Sequence, residues 1–102
     1  MINRVVLMGR LTAAPELKTT DSGVSVSTVR MAVDHGKDNT AFIDVVFWRH
    51  QAEFVCKHFT KGSLIAVEGQ LQSRSFKAKD ETNRTVVEVV ADNVSFTGER
   101  ND

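Results

Sequence analysis

At 102 residues, with 41% hydrophobic and 25% charged residues, the chain has material for one core and the composition of an ordinary globular domain. Thirteen basic and thirteen acidic residues cancel to a formal net charge of zero, so a polyanion would have to be met by a local cluster of cations. The single cysteine excludes an intramolecular disulfide. Met1-Ile2-Asn3-Arg4 leads into no long apolar segment, which argues against a signal peptide or membrane span and makes the cytoplasm the expected location.

Residues 2–12 hold Val5-Val6-Leu7-Met8, apolar on both faces of a strand, followed by Gly9-Arg10-Leu11. A strand apolar on both sides needs cover on both sides. In so small a domain the second cover is expected from another copy, with Val5, Val6, Leu7 and Met8 as the self-association residues. Pro15 interrupts any ladder and Thr19-Thr20-Asp21-Ser22-Gly23 is a cluster of turn formers, so a short irregular connection is expected. Residues 24–34 resume strand alternation, with Val29, Met31 and Val33 facing one way and Thr28, Arg30, Ala32 and Asp34 the other.

The polar loop His35 to Thr40 leads into Ala41-Phe42-Ile43-Asp44-Val45-Val46-Phe47-Trp48-Arg49. Alternation places Ile43, Val45 and Phe47 on one face, and Phe42, Asp44, Val46 and Trp48 on the other. An acid between two large aromatics marks a face that meets water and suits flat, partly polar ligands. Nucleic-acid bases are such ligands, because each offers a π-face to an aromatic ring.

After Arg49 the period changes. Ala52, Val55, Cys56 and Phe59 form one helical stripe, predicting a helix that starts near His50 without a side-chain cap and is ended by Gly62. From Leu64 the strand pattern returns: Val67, Gly69, Leu71 and Ser73 lie opposite Glu68, Gln70, Gln72, Arg74 and Phe76, so Phe76 is another aromatic on a polar face. Asp80, Thr82 and Asn83 supply hairpin chemistry, and residues 85–97 make a valine-rich last strand. Five strands with one α-helix between strands 3 and 4 is the order of the OB-fold, an all-β five-stranded Greek-key barrel that binds oligonucleotides and oligosaccharides. The domain is expected over residues 1–98, leaving 99–102 as a short C-terminal remnant.

Several segments are then familiar. Asn3-Arg4-Val5-Val6-Leu7-Met8-Gly9-Arg10-Leu11, Pro15-Glu16-Leu17, Phe42-Ile43-Asp44-Val45-Val46-Phe47-Trp48-Arg49, Lys61-Gly62-Ser63-Leu64, Val67-Glu68-Gly69-Gln70-Leu71-Gln72-Ser73-Arg74 and Thr85-Val86-Val87-Glu88-Val89-Val90-Ala91-Asp92 resemble the bacterial single-stranded DNA-binding protein family. Their order and spacing match as far as about Phe96. The resemblance implies an OB-fold that assembles as a homotetramer and wraps single-stranded DNA without reading sequence, in replication, recombination or repair. It also implies base stacking at the positions of Phe42, Trp48 and Phe76, with phosphate contacts from basic residues nearby.

The basic residues placed to neutralise phosphate are Arg10, Arg30, Lys37, Arg49, Arg74, Lys77, Lys79 and Arg84. Strict alternation turns Arg49 towards the core unless it lies past the strand's end. Two departures from the family pattern matter. The loop His35 to Thr40 is shorter than usual, which implies a smaller footprint and weaker binding, with His35 or Lys37 as partial substitutes. The chain also stops at Gly98-Glu99-Arg100-Asn101-Asp102, so recruitment of replication and repair proteins through an acidic tail is not expected.

Two other readings fit the same strand order. The first is an adaptor resembling the short, dimeric primosomal replication protein, which acts mainly through protein partners. The second is an OB-fold nuclease drawing metal ligands from Asp34, Asp44 and Glu68. Cys56-Lys57-His58 with His50 is no zinc pattern, and the glycines at 36, 62, 69 and 98 are isolated, so no metal site, cofactor, membrane partner or enzymatic activity is expected.

Overall fold

Alternating apolar residues draw five long segments into strands whose inward side chains share one core. In a computed structural model of the chain, which describes residues 1–98, the elements run β1 (Val5–Leu11), β2 (Lys18–Thr19), β3 (Ser25–Asp34), β4 (Thr40–Trp48), α1 (His50–His58), β5 (Leu64–Lys77) and β6 (Asn83–Phe96). The antiparallel pairs β3–β4, β1–β5 and β5–β6 are joined by a parallel contact of β4 with β6, Val45 beside Val89 and Val46 beside Val90. β1 then closes the sheet onto β3, with Arg10 opposite Ala32 and Leu11 opposite Met31. This is a closed five-stranded barrel with its helix between the third and fourth long strands, the OB-fold predicted from the order of elements.

Inside the barrel Leu11, Val29, Met31, Val45, Phe47, Ile65, Val67 and Val89 are buried, joined by Ala52 and Val55 of α1 and by Phe59 just after it. Each large side chain so buried contributes roughly 1.5–3 kcal/mol. The inward parity of β4 and the helical stripe both match the pattern of the sequence.

Three local features depart from expectation. The connection after β1 is not wholly irregular: Lys18 pairs with Val26 and Thr19 with Ser25 across a tight turn. In that turn Thr20 accepts from Gly23 N–H at 2.9 Å and, through Oγ1, from Val24 N–H at 3.1 Å. The helix ends at His58, earlier than predicted, because Phe59 turns extended (φ −125°) to enter the core. Gly62 serves the next turn instead, at φ +88°, where Ser63 N–H donates to Thr60 O at 3.1 Å.

The third departure shapes the site. In the β5–β6 ladder Glu68 faces Asn93 but Gly69 faces Ala91, so Asp92 is an extra residue and the hairpin bends there. The backbones approach so closely that a Cβ on Gly69 would lie 2.1 Å from Val90 O. Beyond this bend every residue of β5 from Gln70 to Lys77 is exposed. Leu71, which alternation puts on the inward side, is 49% exposed because β5 loses β1 as a neighbour beyond Gly69, while its partner Val89 on β6 is still in the core.

Candidate nucleic-acid interface

The outer face of β4 carries Phe42 and Trp48, which are 62% and 42% exposed. Both large rings therefore stand on the open side of the strand, while Ile43, Val45 and Phe47 between them anchor it to the core. Register sets their neighbours on β3: Ala32 beside Phe42, Arg30 beside Asp44, Thr28 beside Val46 and Val26 beside Trp48. Small or β-branched residues next to each ring leave its face uncovered. Phe76 lies on the projecting part of β5, 41% exposed, and the Arg74 guanidinium carbon sits 5.5 Å from its ring centroid.

Val46 was expected on the open face and is 5% exposed. It belongs to that face but lies at the bottom of a recess of about 280 Å³ beside Trp48. Val26, Thr28 and Val90 line the recess from the flanking strands, and Gln72, Arg74 and Glu88 close it from the hairpin. A second recess, of about 220 Å³, shares Val26 and Thr28 and runs on to Ala13, Ala14, Glu16 and Lys18. The open face is thus grooved across β3 and β4.

The eight predicted phosphate ligands divide by what already holds them. Arg30 Nε donates to Asp44 Oδ1 at 3.0 Å, and that hydrogen bond and the Asp44 charge push the guanidinium's pKa above its ordinary value. Arg74 Nε donates to Glu88 Oε1 at 2.9 Å, with Glu88 almost wholly buried. Arg84 pairs with Asp80 at 3.4 Å, and Arg10 Nη1 donates to Gly62 O at 3.1 Å. Lys37, Arg49, Lys77 and Lys79 have no ion pair among the described residues. Arg49 lies past the end of β4 at φ +59° and is exposed, which resolves the doubt that alternation raised about it. Arg30 and Arg74 on the open face are therefore neutralised in place, while Lys37, Arg49, Lys77 and Lys79 stand at loops and strand ends.

Glu88 and Gln72 are the residues that sequence reasoning missed. One acid inside the valine-rich run Val86 to Val90 was the available signal, because such a side chain must either find a partner or open the strand to water.

The acids of the nuclease reading are occupied and apart. Asp34 accepts from Thr40 Oγ1 at 3.3 Å, Asp44 holds Arg30, and Glu68 holds Arg4 at 2.6 Å. Among the described residues no three of His, Cys, Asp and Glu stand close enough to share a metal ion, and no helix is long and apolar enough to cross a membrane. Of the four self-association candidates, Val5 and Leu7 pack on the core, while Val6 and Met8 are 70% and 55% exposed.

Fold and face together define an OB-fold with an aromatic open side and cations at its margins. The model of the Single-strand binding protein family matches residues 2–97, and the chain belongs to that family. It is 50% identical to the single-stranded DNA-binding protein of Clostridium tetani (strain Massachusetts / E88), the match covering 93% of this chain and 70% of that one. It is 45% identical to single-stranded DNA-binding protein 2 of Staphylococcus aureus (strain Mu50 / ATCC 700699), over 99% of this chain and 76% of that one. Among solved structures it is similar to a deletion mutant of the single-stranded DNA binding protein from Thermus aquaticus, with a TM-score of 0.80 and 31% identity. That match covers 96% of this chain and 42% of the other.

Proposed function

We propose that this chain binds single-stranded DNA without requiring a defined sequence, in replication, recombination or repair, and that it does so in the cytoplasm without catalysing a reaction. The observation that carries the reading is the pair of uncovered rings, Phe42 and Trp48, on a strand face whose other parity is locked into the core. Stacking on such rings contributes roughly 1–3 kcal/mol per base and accepts any base, since all have a π-face. Phe76, on the projecting hairpin, extends the stacking surface.

Lys37, Arg49, Lys77 and Lys79, unpaired among the described residues, neutralise phosphates at the margins. Arg10, Arg30, Arg74 and Arg84 are already bonded within the protein and contribute less to phosphate. Val6 and Met8 cover themselves against another copy, giving a homotetramer. A mass measurement in solution showing a lone protomer would remove that part.

Trp48 is the chain's single tryptophan, so its emission reports on its own ring. Titration with oligo-dT is expected to quench it. Trp48→Ala is expected to weaken binding about 5- to 150-fold, one stacked base's share, with the salt slope unchanged. Emission that oligo-dT leaves untouched, with equal affinity of the variant, overturns the reading.

A further inference from the structure

The recess beside Trp48 has a chemistry that stacking alone does not explain. Val46, Val90 and the indole give it apolar surface for a flat ring, while Gln72, Arg74 and Glu88 stand at its edge. At about 280 Å³ it sits at the small end of ligand pockets, room for one ring rather than a longer ligand. Glu88 is 6% exposed, and only its Oε1 is used, by Arg74. Its Oε2 has no hydrogen-bond partner among the described residues. It is not among the buried side-chain atoms left without a partner, so it opens to solvent and is free to accept from whatever donor enters the recess.

We propose that this recess seats a single base and that Glu88 recognises the amino group of cytosine there. Cytosine presents an N4 amino donor where thymine presents the O4 acceptor, so a carboxylate accepts from the first and repels the second. The terminal nitrogens of Arg74 donate to no described residue and face no competition for the acceptors on the same base edge. With the Arg74 cation already paired to Glu88, the seat carries no net positive charge to draw in a phosphate. The inference rests on single-stranded DNA binding and adds to it a modest preference at one position.

The test compares oligo-dC and oligo-dT of equal length on the wild-type protein and on Glu88→Gln. The variant's amide donates to O4 as readily as it accepts from N4. The ratio of dC to dT affinity is therefore expected to fall about fivefold, equivalent to about 1 kcal/mol, the low end for a base-edge contact. Freeing Arg74 strengthens both homopolymers alike and cancels in the ratio.

A second measurement needs only the wild-type protein. An oligomer of 2-pyrimidinone deoxynucleotides, which lack the 4-amino group, is expected to bind about fivefold more weakly than oligo-dC. Equal binding of the two, or a ratio that Glu88→Gln leaves unchanged, overturns the base seat while leaving single-strand binding in place. A wild-type protein that binds none of the three overturns both.

Discussion

The ion pair between Arg30 and Asp44 predicts a variant that gains affinity. Arg30 stands on the open face between the two rings of β4, but its Nε is held by Asp44 at 3.0 Å. Asp44→Asn keeps the shape, removes the negative charge and leaves only a weaker neutral bond, so the guanidinium becomes available to phosphate. One added contact on a single strand steepens the dependence of log K on log salt by about 0.7, which at ~0.1 M monovalent salt is about fivefold tighter binding, vanishing towards ~1 M. Both side chains are well exposed, 60% for Arg30 and 39% for Asp44, so water screens the pair, it adds little to stability and the variant should fold normally.

The assay is quenching of Trp48 by oligo-dT across a salt series, with thermal melting as the control. Adding Arg30→Ala to Asp44→Asn should abolish the gain. Affinity and slope equal to wild type, or weaker binding, would refute the reasoning, because Arg30 would then lie off the path of the strand.

Lys77→Ala should flatten the salt slope by about 0.7 in the same series, since that lysine has no competing acid among the described residues. Gly69→Ala should cost about 1–3 kcal/mol in denaturant or thermal melts, because the new methyl meets Val90 O at 2.1 Å and only backbone can give way. Asp80 accepts from the Thr82 hydroxyl at 2.6 Å and from its N–H at 3.2 Å, and these bonds hold its carboxyl below the ordinary aspartate value. A depressed folded value means that the contribution to the hairpin is present above the ordinary range and is lost as pH falls through the lowered one. Thr82→Val should move the Asp80 titration upward by NMR, and an unmoved midpoint would count against that cause.

Alternation made β4 legible because the strand keeps one parity from Phe42 to Trp48, with its inner residues in the core and the two terminal rings outside. The helix was equally readable at Ala52, Val55 and Phe59, but not its end, which is set by the pull of Phe59 into the core rather than by Gly62. What a single strand's pattern cannot carry is the partner across the ladder. Arg30 and Arg74 read as free cations until register and burial set Asp44 and Glu88 beside them. Nor did periodicity reveal that the β5–β6 hairpin bends at Asp92 and leaves Leu71 without cover, since the signal keeps its period after the neighbouring β1 has ended.

Past Glu88 and its partner Gln72, where β6 leaves the core, that hairpin behaves as a cantilever. With its outer length exposed and no core beneath, its amides should exchange with solvent long before those of β3 and β4. Phe42 and Trp48 are thus a fixed gauge set by a rigid wall, while Phe76 rides on a sprung arm. On the proposed stacking surface the spacing between rings is then adjustable at one end of the track and constant at the other.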